Sequence, residues 1–137
     1  MVVCCYGKEE ETQKETILGE NMHGVLMGSV AAKLHFSDFR QPGDVDILYP
    51  GPCVHKPRFE MHDCRRTSGL QKLYDQSGLV LSPTQLLSLK LSHILWNINW
   101  EKTLSDIRFF QLKNVGYDSQ LVKELRDGWR EIHGDRP

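Results

Sequence analysis

The hydrophobic period changes partway along the chain, and that change constrains the fold more than any single residue does. In "DVDILYP" (residues 44–50), Asp44 and Asp46 alternate with Val45 and Ile47. In "RFEMHDC" (58–64), Phe59 and Met61 alternate with Arg58, Glu60, His62 and Cys64. A period of two is that of a strand with one buried face. "GVLM" before Gly28 is a short apolar run, as a buried strand is. "SVAAKLHF" suits a short helix, and Pro42-Gly43 marks a turn before the acidic strand.

From Ser82 the period becomes helical. Ser82-Pro83-Thr84-Gln85 supplies a capping serine, a proline at the first helical position and a glutamine three residues after the cap. Leu87, Leu91, Leu95 and Ile98 follow as an i, i+4, i+8, i+11 stripe. A second helix is expected over about Trp100 to Lys113, ending near Gly116. A third, capped by Asp118 or Ser119, should bury Leu121, Leu125, Trp129 and Ile132. Its other face, with Lys123, Glu124, Arg126, Asp127, Arg130 and Glu131, should be solvated. Strands first and helices after predict an α+β domain, a small mixed sheet covered by about three helices over residues 82–133.

At 137 residues the chain fits a single domain, and a 39% hydrophobic content is enough for a real core. "KEEETQKET" (8–16) reads as a solvated helix or part of a loose N-terminal segment over residues 1–20. A net charge of −1 argues against a long nucleic-acid track, though not against a local basic patch. No apolar run approaches the ~18 residues that span a bilayer. The start, "MVVCCYGKEEE", lacks a basic segment followed by a long apolar one. A cytoplasmic protein without membrane contact is expected, with Cys4, Cys5, Cys53 and Cys64 as reduced thiols.

Two aspartates at i and i+2 on a strand point the same way and repel each other. A divalent cation resolves that repulsion, and Mg²⁺ favours a few carboxylates together with phosphate oxygens. Gly28-Ser29, leading from a strand into a helix, supplies the complementary half. Glycine admits a phosphate close to the backbone, and the helix start offers free N–H groups. The alternative for Asp44 and Asp46 is a solvent-facing strand edge, but aspartate is depleted in strands and two in register need an explanation.

Met27-Gly28-Ser29, a fourteen-residue spacer from Val30 to Gly43, and Asp44-Val45-Asp46-Ile47 together resemble the signature of the nucleotidyltransferase superfamily of the polymerase-β type. The spacer is at the long end of that pattern. The resemblance runs through Val25 to Pro50 and extends toward Cys64. It implies a third carboxylate on a neighbouring strand, for which Glu60 is the choice and Asp63 the alternative. It also implies Mg²⁺ or Mn²⁺ held by Asp44, Asp46 and Glu60, with the same three residues catalytic. Gly28, Ser29, Lys33, Lys90 and His93 would bind a nucleoside triphosphate. The implied reaction moves a nucleoside monophosphate to a hydroxyl of an RNA end, a protein or a small molecule. The chain is short for a transferase with its own substrate domain, so either the C-terminal helices hold the acceptor or a second subunit completes the cleft.

Lys90, His93 and Asn97 share a helix face beside the leucine stripe. Lys90 could balance the acidic site or grip a phosphate, and His93 could act as a base or be a hydrogen-bonded core residue. Lys102 and Asp106 have ordinary ion-pair spacing, and Asp106 could instead orient His93. Trp96 and Trp100 could stack on a base or fill the space between helices. The pattern "LKLSH…W.K…SDI.F" also resembles the helical half of small, mostly viral nucleotidyltransferase-like proteins.

Two other readings compete. Cys53-Val-His55 and His62-Asp-Cys64 are symmetric about "KPRFEM", and as a hairpin they could gather a tetrahedral zinc set. One residue between paired ligands is, however, short of the usual spacing. The second is a catalytically inactive nucleotidyltransferase-like interaction or inhibitor protein, since a fold can lose chemistry and keep its shape.

Overall fold

The alternating segments pair into one mixed sheet, and the leucine-rich half packs on it as helices. The computed structural model describes residues 24–96 and 100–134. Asn97, Ile98, Cys4, Cys5, the polar segment 8–16 and the side chain of Trp96 lie outside the described residues. Among the described residues, β1 (Val25–Met27) runs directly into α1 (Gly28–His35). β2 (Val45–Tyr49), β3 (Val54–Lys56), β4 (Phe59–Asp63) and a 3₁₀ turn (Cys64–Arg66) follow. Four helices complete the chain: α2 (Ser68–Asp75), α3 (Pro83–Trp96), α4 (Glu101–Leu112) and α5 (Ser119–His133).

The strand order is β1-β2-β4-β3. β1 is antiparallel to β2, β2 is parallel to β4, and β3 is antiparallel to β4. The chain therefore leaves β2, lays β3 at the edge, and returns to insert β4 between them. Arg58, in the turn of that edge hairpin, has a positive φ of 65°. The registers Met27↔Asp46 and Asp46↔Glu60 place the helix-leading end of β1 and the two acidic positions in one row across the sheet. Leu26 also hydrogen-bonds in both directions with the segment before α3, donating to the Leu79 carbonyl at 2.8 Å and accepting from the Leu81 amide at 2.9 Å. That short bridge brings the start of α3 beside β1.

Period-two burial divides the sheet residues as expected. Ile47, Tyr49, Val54 and Met61 form one buried cluster, with Val45 and Phe59 packed against it. Val25 and Leu48 join the main core with Ala31, Ala32, Leu86, Leu87, Phe110, Leu121 and Leu125. The start of α3 is a reciprocal capping box. The Gln85 amide donates to Ser82 Oγ at 3.1 Å, and the Ser82 amide donates to Gln85 Oε1 at 2.8 Å. Asp118 caps α5 by accepting from the Leu121 amide. On α3 the predicted stripe holds for Leu87, which is buried, and Leu91, which packs against the core, but Leu95 is 51% exposed, and the buried face also includes Leu86, Ser88, Leu89 and Ser92. Both serines face α5 rather than solvent. Ser88 Oγ accepts from the Asp118 amide and Ser92 Oγ from the Trp129 indole N–H.

Helix α2 lies outside the three C-terminal helices expected over residues 82–133, and Gly69 in its first turn lowers local helix propensity. Its position is set by packing. Thr67 caps the helix through the Leu70 amide, and a Cβ on Gly69 would stand 2.8 Å from the Glu124 carbonyl oxygen and 3.0 Å from Leu125 Cα. Those atoms are helix backbone and cannot turn aside. Gly69→Ala should therefore lose stability, with about 1–3 kcal/mol of overpacking outweighing the helix-propensity gain. A thermal unfolding midpoint equal to or above that of the wild type would refute this.

Candidate functional site

The loop from α1 to β2 shapes the site before any acidic residue does. The Lys33 ammonium donates to the carbonyls of Ser37 and Phe39, at 2.7 and 2.8 Å. Phe39, 2% exposed, meets Phe109 edge-on with ring centroids 5.0 Å apart. The loop is thus fastened to α4, and Arg40 is carried over Asp106. Its guanidinium makes a two-pronged bond to that carboxylate, at 2.8 and 2.7 Å. Lys90 Nζ reaches the same carboxylate at 2.9 Å. Asp106 is 2% exposed. Burial pushes its pKa up, but the Arg40 hydrogen bonds and the Lys90 charge outweigh burial and hold it below the usual carboxylate range.

Facing this network is the acidic edge of the sheet. Asp46, Glu60 and His62 each offer a ligand atom within 4.8 Å of the others, so the three could hold a metal ion. The His62 Nε2 lies 2.9 Å from Asp46 Oδ1 and 3.7 Å from Glu60 Oε1. Two carboxylates and an imidazole are a chemically suitable donor set for a divalent cation. Gly28 is required beside them. Its φ is +70°, and a Cβ there would stand 2.7 Å from Asp46 Oδ2. The backbone at the start of α1 therefore lies directly against the Asp46 carboxylate.

A cavity of about 680 Å³ joins the two sides. Gly28, Ser29, Asp44, Asp46 and His62 line it from the sheet side, and Arg40, Lys90, His93 and Asp106 line it from the helices and the loop. Trp100 and Lys102 also contribute. Asp44 is exposed just ahead of β2, on the same cavity but outside the group of three.

The structure thus brings together Gly28, Ser29, Asp44, Asp46, Lys90 and His93 at one cavity, with Glu60 beside Asp46. Lys33, predicted to bind nucleotide, lies on α1 outside the cavity lining, and its ammonium is engaged by the Ser37 and Phe39 carbonyls of the loop that positions Arg40. Asp63 faces away from the metal group, capping the 3₁₀ turn by accepting from the Arg65 amide and pairing with its guanidinium. Asp106 is engaged by Arg40 and Lys90 rather than by His93 or Lys102 among the described residues. The four-residue zinc set does not form among the described residues. The hairpin exists, but Cys64 leaves the strand for the core, where it is fully buried and its Sγ lies 3.6 Å from Gln71 Oε1. Burial pushes that thiol up to about 11, which opposes the thiolate that zinc requires. Cys53 and His55 remain exposed.

Two site residues were missed as such. The alternation that puts Glu60 on the acidic face puts His62 there too, but the Cys-His symmetry of the hairpin points to a zinc set instead. Arg40 had no local signal, because its partner is 66 residues away.

His93 lies between Trp100 and Trp129, with ring centroids 5.2 and 4.8 Å away. Burial pushes its pKa down to about 3, with the charges of Lys90 and His62 adding to the effect. The folded protein therefore holds it neutral where the unfolded chain, near 6.5, takes up a proton. The unfolded state binds more protons between these values, so this residue's contribution to stability should fall as pH drops below about 6.5 toward 3. Urea midpoints across this range should show a steeper acid loss in the wild type than in His93→Phe. Parallel profiles would overturn the assignment.

No helix among the described residues is long and apolar enough to cross a membrane. In comparisons with protein families, curated proteins and solved structures, the chain found no match.

Proposed function

We propose that the protein is a nucleotidyltransferase dependent on Mg²⁺ or Mn²⁺, moving a nucleoside monophosphate from a nucleoside triphosphate to a hydroxyl acceptor. The observation that carries this reading is the grouping of Asp46, Glu60 and His62, with Asp46 set against the Gly28 start of α1 and Asp46 and His62 lining a cavity whose other side carries Arg40 and Lys90. Negative charge gathers where a cation would sit. Helix N–H groups and basic side chains gather where phosphates would sit.

Asp46, Glu60 and His62 would hold the cation, and Asp44 supplies a further carboxylate on the same cavity. A bound divalent cation would polarise the α-phosphate and favour ionisation of the acceptor hydroxyl. Gly28 and Ser29 would receive phosphate oxygens through backbone N–H groups, and Ser29 through its hydroxyl. Arg40 and Lys90 would balance the charge of the triphosphate, held in place by Asp106. Trp100 also lines this cavity. The acceptor class, whether an RNA end, a protein or a small molecule, follows from which one becomes labelled.

The test is incubation with each labelled nucleoside triphosphate, Mg²⁺ or Mn²⁺, and acceptors of the three classes, with the Asp44→Ala, Asp46→Ala double variant as control. Label transfer that depends on the pair supports the reading. Equal transfer by the double variant removes the site assignment. Nucleotide binding without transfer would make the chain an inactive relative acting through interaction.

A further inference from the structure

We infer that the metal group selects a first-row transition dication, for which Mn²⁺ is the probe, over Mg²⁺, and that His62 is the discriminating ligand. The inference rests on reading Asp46 and Glu60 as metal-holding residues and not on the transfer reaction itself.

Mg²⁺ demands near-octahedral oxygen coordination and gives up its waters reluctantly, so a site made for it offers one or two carboxylates and leaves the rest to water and phosphate. An imidazole ligand suits transition metals better. Here the third position is an imidazole, placed by the strand itself. β4 presents Glu60 and His62 on one face by its period of two, and the parallel register sets Asp46 beside Glu60. The His62 Nε2 therefore sits between two carboxylates, 2.9 Å from one and 3.7 Å from the other. A cation entering the group would sit between Nε2 and the two carboxylates, with the imidazole in the tautomer that leaves the Nε2 lone pair free. The side chains are partly buried, 27% exposed for His62, 23% for Asp46 and 36% for Glu60. Coordination positions toward the cavity stay open, unlike those of a closed structural site.

A hydrogen-bonding role gives a different expectation. If His62 only orients Asp46, a glutamine that keeps a donor near the carboxylate should preserve most cation binding, and any loss should be equal for both metals. If His62 is a ligand, its removal should affect Mn²⁺ selectively.

The test measures Mn²⁺ and Mg²⁺ binding to the full chain without nucleotide, for the wild type and His62→Gln, together with pulsed electron paramagnetic resonance of bound Mn²⁺. The wild type should bind Mn²⁺ with a nitrogen modulation typical of a coordinated imidazole. His62→Gln should lose that modulation and at least on the order of tenfold in Mn²⁺ affinity, with a much smaller change for Mg²⁺. Absence of nitrogen coupling in the wild type, its persistence in His62→Gln, or an equal fall for both cations would overturn the inference. The wild-type spectrum decides even if the variant folds poorly. Label transfer measured on the same samples separates the two claims. Transfer without nitrogen coupling overturns the metal selection alone, and nitrogen coupling without transfer overturns the proposed reaction alone.

Discussion

Replacing Asp46 by asparagine should lower metal-dependent nucleotide transfer by about 10²–10³-fold, the scale on which single electrostatic contacts to a transition state act, while leaving the fold at least as stable. The substitution is nearly isosteric, and its amide oxygen can still accept from His62 Nε2. It should also leave the close approach between Gly28 and the residue-46 side chain intact. What it removes is charge, and a neutral amide is a poor substitute for a carboxylate as a ligand to a hard dication. Stability should move the other way. Asp46 and Glu60 are partners in the parallel register, and like charges side by side on a sheet oppose folding. Losing one relieves that repulsion. The asparagine variant therefore separates the loss of charge at the site from the relief of repulsion in the sheet. Initial rates of label transfer and urea midpoints at unchanged m-value measure both. Unchanged transfer would remove Asp46 from the mechanism. A midpoint that falls together with the rate would make Asp46 a structural residue.

The sequence and the structure agree most closely where a local pattern carries the information. The alternation in "RFEMHDC" put Glu60 and His62 on one face, and the Ser82–Gln85 capping box opened a helix where its residues required. The failures come from distances that spacing does not encode. Lys102 and Asp106 have the spacing of a helical ion pair, yet Asp106 turns to Arg40, because the loop held by Lys33 and Phe39 delivers a guanidinium there. The symmetric Cys-x-His and His-x-Cys arms did form a hairpin. The ligand symmetry broke at Cys64, because Asp63 caps a 3₁₀ turn and rotates the chain inward. Helix α2 was obscured by Gly69, whose poor propensity is offset by contact with α5. Alternation could show that Asp46 and Glu60 face the same way. Only the parallel pairing of β2 with β4 made them neighbours.

The site joins two ionic groups of opposite purpose. The sheet side concentrates carboxylates with few counter-charges among them. The helical side buries a single carboxylate beneath two cations, leaving that group with a net positive charge toward the cavity. A phosphate-bearing ligand with a bound cation is complementary to both.

That asymmetry makes Asp106 the most consequential buried charge in the described structure. Asp106→Ala should destabilise the protein by about 3 kcal/mol, the low end for breaking a buried ion pair by removing one partner. The low end applies because the Arg40 side chain is 33% exposed and can regain water, whereas Lys90, at 16%, is left more nearly stranded. The variant should also loosen both cations and weaken nucleoside triphosphate binding, although Asp106 need not touch the ligand. A structural role alone would lower stability without this second effect. The pH profile supplies an independent check. Because the folded-state pKa lies below the ordinary carboxylate value, the Asp106 contribution is present above about 3.8 and is lost as pH falls through the lower folded value. The wild type should therefore lose part of its advantage over Asp106→Ala only in strong acid. In a double-mutant cycle with Arg40→Ala, stabilities that add would show the two side chains to be uncoupled and would refute this account; a coupling of about 1 kcal/mol or more is expected for groups in one network.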